Sequence, residues 1–146
     1  MKDYRPLEEL DESIRTDVVR FYQVFDSQDI NGLLELAKIF VSKNFTLSHW
    51  IGVYQFERDS LEAEYKHKVS VNFSKYKTDG DTDKQAESRA KTDWYTLLEK
   101  QLEAGKNYTI ARQLHSDSEN LLNMLRTKLS ILRKEIDTLN DTKGGI

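Results

Sequence analysis

Leu122, Leu125, Leu129, Leu132, Ile136 and Leu139 stand at alternating three- and four-residue steps near the end of the chain. The same steps continue upstream through Ser118, His115, Ala111, Tyr108, Ala104, Gln101, Leu97, Trp94 and Ala90, and 12 of these 15 positions are apolar. A repeat of 3.5 residues kept over seven heptads is the pattern of a left-handed coiled coil. Thr82 and Gln85, three residues apart, form a capping box that satisfies two exposed amides at a helix start. The spacing therefore predicts one helix from Thr82 to about Thr142, roughly 60 residues or about 90 Å long at 1.5 Å per residue. Its two halves differ. Small and polar residues occupy Gln101 to Ser118, where Gly105 would also let a crossing helix come close, and leucines fill the seam from Leu122 onward.

Working back from that helix, Thr78-Asp79-Gly80-Asp81-Thr82 reads as a turn. Before it, Trp50, Val53, Tyr54, Leu61, Tyr65, Val69, Phe73 and Tyr76 lie on a drifting helical stripe over residues 46–77. Val69 to Phe73 would also suit a short strand, but the flanks are helical and no partner strand is evident. The turn folds this helix antiparallel to the first part of the long one. Asn44 to Ser48 offers a break, and Leu33, Leu34, Leu36, Ala37, Phe40 and Val41 a short apolar helix ahead of it. Asp26 to Gly32 is a loop by its turn chemistry. The first helix starts at Pro6 with Glu8 and Glu9 in its opening turn. It carries Leu7, Leu10, Ile14, Val18, Phe21 and Phe25 on one stripe.

The expected fold is all-α: an antiparallel helical hairpin (46–142) with one very long C-terminal coiled-coil helix, plus shorter N-terminal helices (1–45). Residues 143–146 are expected to be a frayed tail, and the whole a single elongated helical domain. The hairpin arm is too short to cover the leucine seam. Leu122, Leu125, Leu129, Leu132, Ile136 and Leu139 therefore need either the N-terminal helices or a second copy of the chain, and a homo-oligomer is expected.

Composition agrees with an elongated helical protein: 146 residues, 38% hydrophobic and 32% charged, with one Pro and six Gly. Cysteine is absent, which excludes disulfides and thiol chemistry. The acidic, amphipathic opening predicts no signal peptide. No apolar run approaches the ~18 residues of a membrane span, and a cytoplasmic protein is the expectation. The net charge of −3 conceals an asymmetry. Residues 1–64 carry seven Lys/Arg against 13 Asp/Glu, and residues 65–146 carry 15 against 12. A chain polarised in this way can offer its basic part to an anion.

Motifs for chemistry are set aside on their geometry. Asp79, Asp81 and Asp83 match the first positions of a calcium loop, but Lys84 and Ala90 stand where that loop needs Gly and a bidentate Glu. His49, His67 and His115 are too dispersed for a metal site. His115-Ser116-Asp117-Ser118 sits on one helical stretch and cannot converge as a triad. Four sequons, at Asn44, Asn72, Asn107 and Asn140, are read as chance matches. No catalytic residue, metal or cofactor is expected.

One segment carries a usable signal. Tyr65 to Lys77 holds Lys66, Lys68, Lys75 and Lys77, one histidine and three aromatics, with no acidic residue. Arg89 lies across the turn. Lysines give salt-dependent attraction to phosphates, and aromatics among them can stack on unpaired bases. The plainer alternative is an amphipathic helix with Tyr65, Val69, Phe73 and Tyr76 buried.

The layout resembles the small helical recombination mediators of tailed phages. The shared features are the acidic first helix, the basic-aromatic stretch from Lys66 to Lys77, the Asp79-Gly80-Asp81 turn, and a long helix ending in Leu125 to Lys134. The resemblance implies a ring-like or higher homo-oligomer that binds single-stranded DNA without sequence preference and loads a recombinase beside single-strand-binding protein. On this chain Lys66, Lys68, Lys75, Lys77 and Arg89 would hold phosphates, and Tyr65, Phe73 and Tyr76 would stack on bases. The competing expectation is a structural or adaptor coiled-coil protein, such as a phage virion or assembly component, that binds only proteins.

Overall fold

A computed structural model describes residues 7–143, and side chains as far as Asp141. The expected start at Pro6 and the end of the tail lie outside the described residues. Among the described residues there are four helices and no strand, in the order α1 (Leu7–Phe25), α2 (Ile30–Thr78), α3 (Asp83–Asp93) and α4 (Tyr95–Lys143). The protein is all-α, and the strand alternative at Val69 to Phe73 gives way to helix.

Three boundaries differ from the sequence expectation. First, α2 runs through Asn44 to Ser48 without a break. The side chains there bond inward: Thr46 Oγ1 donates to Ser42 O at 3.2 Å and Ser48 Oγ to Asn44 O at 2.9 Å. A hydroxyl used this way decorates a helix instead of capping one. Second, the loop after α1 is shorter than expected. Asp29 caps α2, its carboxylate accepting from Gly32 N at 3.0 Å and its carbonyl from Leu33 N at 3.0 Å. Third, the long C-terminal helix is interrupted at Trp94 (φ −113°, ψ 20°). Its N–H turns to Thr92 O, and its carbonyl starts the next helix by accepting from Leu97 and Leu98.

The chain forms two compact units. One runs through His49 and resumes at Ala111; the other is Trp50–Ile110. In the first, Phe21 of α1, Leu33, Leu36 and Phe40 of α2, and Leu122, Leu125, Leu129 and Leu132 of α4 make one core cluster. The Phe21 and Phe25 rings stack at 4.9 Å. Four of the six seam residues are thus covered by the chain's own N-terminal helices, the first of the two partners expected for them. Ile136 and Leu139 remain exposed. A partly buried polar link also ties α1 to α2. Lys43 Nζ donates to Ser13 O at 2.9 Å, to Ser13 Oγ at 2.8 Å and to the Asp17 carboxylate.

In the second unit the turn follows from its residues. Asp81 N bonds Tyr76 O at 3.0 Å and Gly80 N bonds Lys77 O at 3.2 Å, the paired pattern of a Schellman ending. Its left-handed position falls on Gly80 (φ +99°), where a side chain would be strained. Thr82 then caps α3 through the expected box with Gln85. Beyond the turn, Arg58 lies over the Tyr108 ring at 4.5 Å, Lys68 over the Trp94 ring at 5.0 Å, and Asn72 reaches Asp93 at 2.8 Å. Numbers rise along α2 as they fall across from it. Gly105 permits no close backbone crossing here. A Cβ on it would meet the Arg58 stem at 3.8 Å, an ordinary contact.

Gly52 has nothing within 4 Å of where a Cβ would sit. A mid-helix glycine costs about 0.5–1 kcal/mol relative to alanine. Gly52→Ala should therefore raise the unfolding free energy by about that amount in urea titrations.

Candidate nucleic-acid interface

From Tyr65 to Thr78 helix α2 has no acidic residue, and helical geometry divides this stretch into two faces. Tyr65, Lys68, Val69, Asn72, Phe73 and Tyr76 are half-buried. Lys66, His67, Ser70, Val71, Ser74, Lys75, Lys77 and Thr78 are exposed. The sequence brought lysines and aromatics together in one segment, and the fold turns Lys66, Lys75 and Lys77 outward while Lys68 stays on the side of the aromatics.

The aromatic side is occupied. Tyr76 Oη donates to the Asp93 carboxylate, which also accepts from Asn72 Nδ2 at 2.8 Å. The Arg89 guanidinium covers the Tyr76 ring at 4.0 Å. The hydrogen bond to Asp93 raises the Tyr76 hydroxyl above its ordinary pKa, and the bonds from Tyr76 and Asn72 lower that of Asp93. A carboxylate held low contributes its stabilisation above its unfolded-state pKa and loses it only as pH falls through the folded-state value. The network is therefore intact at neutral pH. It leaves no open ring face at Tyr76 on the side of Arg89, and Tyr65 and Phe73 are partly packed. Stacking on bases by these three, as the resemblance implies, is not prepared in this arrangement.

The cationic side is partly neutralised. Lys66 pairs with Glu62, Lys77 with Asp83 at 2.6 Å, and Arg89 with Asp81 at 2.7 Å. Lys68 is spread over the Trp94 ring. Hydrogen bonding to Asp81 raises the Arg89 pKa further. Among the described residues Lys75 has no ion pair within 4 Å. Exposed pairs of this kind are worth about 0–1 kcal/mol, so a phosphate can replace Glu62 or Asp83 at little cost. The hydroxyls of Ser74 and Thr78 donate their hydrogens to Ser70 O and Ser74 O, so neither turns a donor outward. What this face presents is positive charge along a helix.

Sequence reasoning missed Asn72 and Asp93 as organising residues. They are 21 positions apart, and only the reversal at Gly80 brings them together. It also placed Arg89 with the phosphate-binding cations, whereas its guanidinium is stacked and paired. Among the described residues no helix is long and apolar enough to cross a membrane. Comparison with known proteins gives no match: no family model, no curated protein and no solved structure matches the chain.

Proposed function

We propose that this is a non-enzymatic, self-associating helical protein that holds single-stranded DNA by its phosphates, in the manner of a phage recombination mediator loading a recombinase beside single-strand-binding protein. In this reading the helical hairpin around Gly80 presents the DNA-binding face and the heptad-patterned helix α4 provides the scaffold. The observation that carries it is the outward face of α2 from Lys66 to Thr78, with Lys66, His67, Lys75 and Lys77 exposed and no acidic residue in the stretch. The inward position of Tyr65, Phe73 and Tyr76 makes phosphate attraction the main source of affinity, with Lys68 and Arg89 bracing the helix pair from behind.

Fluorescence anisotropy of a labelled single-stranded oligonucleotide tests the proposal. Binding is expected at low salt, weakening steeply toward physiological salt, and falling at least tenfold when Lys66, Lys75 and Lys77 become Ala. The tenfold corresponds to about 1.4 kcal/mol. No binding at low salt would overturn it.

A second reading has an observation of its own. Val41 and Phe45, one turn apart on α2, are 48% and 70% exposed, a pair of apolar side chains on one face that another protein could cover. It describes a structural or assembly component that binds proteins alone, and it predicts no nucleic-acid affinity.

A further inference from the structure

The interruption at Trp94 has no local cause. From Asp83 to Ala104 there is neither proline nor glycine, the residues that most often break or kink a helix. The Trp94 side chain carries a donor and no acceptor, so it cannot cap the helix that begins after it. That donor, Nε1, is itself buried without a hydrogen-bond partner. The heptad steps also cross the break without a residue gained or lost, through Ala90, Trp94, Leu97, Gln101 and Ala104. Ala90 and Ala104 are buried on the two sides of it. The local sequence therefore favours one continuous helix through this point.

What breaks the helix comes from α2. Lys68, Asn72 and Tyr76 are half-buried and stand at four-residue steps, one above another on a single side of α2. Lys68 Nζ lies over the Trp94 ring at 5.0 Å, Asn72 Nδ2 donates to the Asp93 carboxylate at 2.8 Å, and Tyr76 Oη donates to the same carboxylate. Successive turns of α2 thus grip two neighbouring residues, the last of α3 and the one before α4. Asp93 stands at the negative end of the α3 dipole, an unfavourable place for an acid, and its two bonds from α2 offset that. With the grip in place, Trp94 N–H turns to Thr92 O, away from the carbonyl of Ala90 that a continuing ladder would use. Leu97 and Leu98 bond Trp94 O, which leaves the amides of Tyr95 and Thr96 at the open start of α4.

We infer that Trp94 is a hinge set by α2. With the grip engaged, α3 and α4 are separate helices. With it released, they join into one helix running from Asp83 in unbroken heptad register. The two arrangements compete, because the α2 contacts hold residues 93 and 94 in the broken form while the backbone ladder favours the joined one. A ligand that binds the end of α2 more tightly in one form than in the other shifts the balance by that difference. The inference concerns the chain alone and stands whether or not the outward lysines hold DNA.

The experiment is amide hydrogen exchange, read by NMR on the full chain. Lys68→Ala, Asn72→Ala and Tyr76→Phe together remove the grip and leave every residue of α3 and α4 unchanged. The amides of Tyr95 and Thr96 should then exchange more slowly by about tenfold or more, as they gain the carbonyls of Lys91 and Thr92. Loss of packing alone would speed them instead. Should the triple variant unfold, Tyr76→Phe alone, which loses only the bond to Asp93, should slow the same amides by a smaller factor. A distance gives a second readout. The chain has no cysteine, so spin labels can be placed through S88C and K106C, at two exposed positions. They are 18 residues apart, five full turns, or about 27 Å along a continuous helix. Releasing the grip should move the label separation to the straight-helix value and narrow its distribution. Slower exchange at Tyr95 and Thr96 together with that shift upholds the hinge. Exchange that is unchanged or faster, or a label separation that is the same with and without the grip, would overturn it.

Discussion

Replacing Leu125 with Ala should lower the unfolding free energy by about 2–5 kcal/mol, the cost of deleting a fully buried leucine and leaving a cavity. Leu125 is 0% exposed and sits between Phe21, the α2 residues Leu33, Leu36 and Phe40, and its own neighbours Leu122 and Leu129. Domains of this size hold only about 5–15 kcal/mol in total, so the variant should unfold at a much lower urea concentration. The loss should be the same at every protein concentration, because the cavity lies inside one chain. The sequence alone offered another outcome, in which these leucines join two copies. Leu125→Ala would then lower the assembled mass and leave the stability of the dilute chain unchanged. Urea midpoints at several concentrations separate the two.

The link between Lys43 and Asp17 should show the next largest effect. Their side chains are only 14% and 13% exposed, and the Lys43 ammonium donates to Ser13 as well as to Asp17. Removing Asp17 takes away the charge partner of a part-buried ammonium whose bonds to Ser13 remain. The cost lies between that of an exposed pair, about 0–1 kcal/mol, and that of a fully buried one, about 3–5 kcal/mol. Asp17→Ala should therefore destabilise by about 1–3 kcal/mol. Asp17→Ala combined with Lys43→Met should cost less than Asp17→Ala alone, since the ammonium that had lost its carboxylate is gone as well. Costs that simply add would show the two groups to be energetically independent, against the geometry.

How much of this fold was legible depended on whether the deciding information was local. The 3.5-residue spacing identified the inward side of α4 well. Ala104, Ala111, Ser118, Leu122, Leu125, Leu129 and Leu132 are all buried. Periodicity reports which side of a helix is apolar whatever covers it, and so it could not decide between the chain's own helices and a second copy. The turn was legible because Gly80 and the box of Thr82 with Gln85 are short-range signals. The interruption at Trp94 was not, because no glycine or proline marks it. It coincides with contacts from residues far away in sequence, Asn72 and Tyr76 on Asp93 and Lys68 on Trp94. The missed continuity of α2 has a chemical cause. Thr46 and Ser48 have the same side chains whether they cap a helix or bond back within one.

The candidate site was legible as a segment and not as a surface. Lysines and aromatics share the stretch from Tyr65 to Lys77, and the helical spacing of Tyr65, Val69, Phe73 and Tyr76 already offered the amphipathic arrangement. What it could not show is that Lys68 turns with the aromatics. The neutralising carboxylates of Asp81 and Asp83 were visible beside the segment, but their pairing with Arg89 and Lys77 depends on the geometry of the turn. The rings are less accessible and the cations more often paired than the residue types alone suggested.

The most direct test of that surface is the salt dependence of single-stranded DNA binding, measured as the slope of log affinity against log salt. Each phosphate contact contributes about −0.7 to the slope for single strands. Lys66→Ala with Lys75→Ala should therefore make it shallower by about 1.4, while Arg89→Ala, whose guanidinium is held by Asp81 and Tyr76, should change it little. An unchanged slope in the lysine double variant, or no measurable binding by the unaltered protein at low salt, would contradict the account.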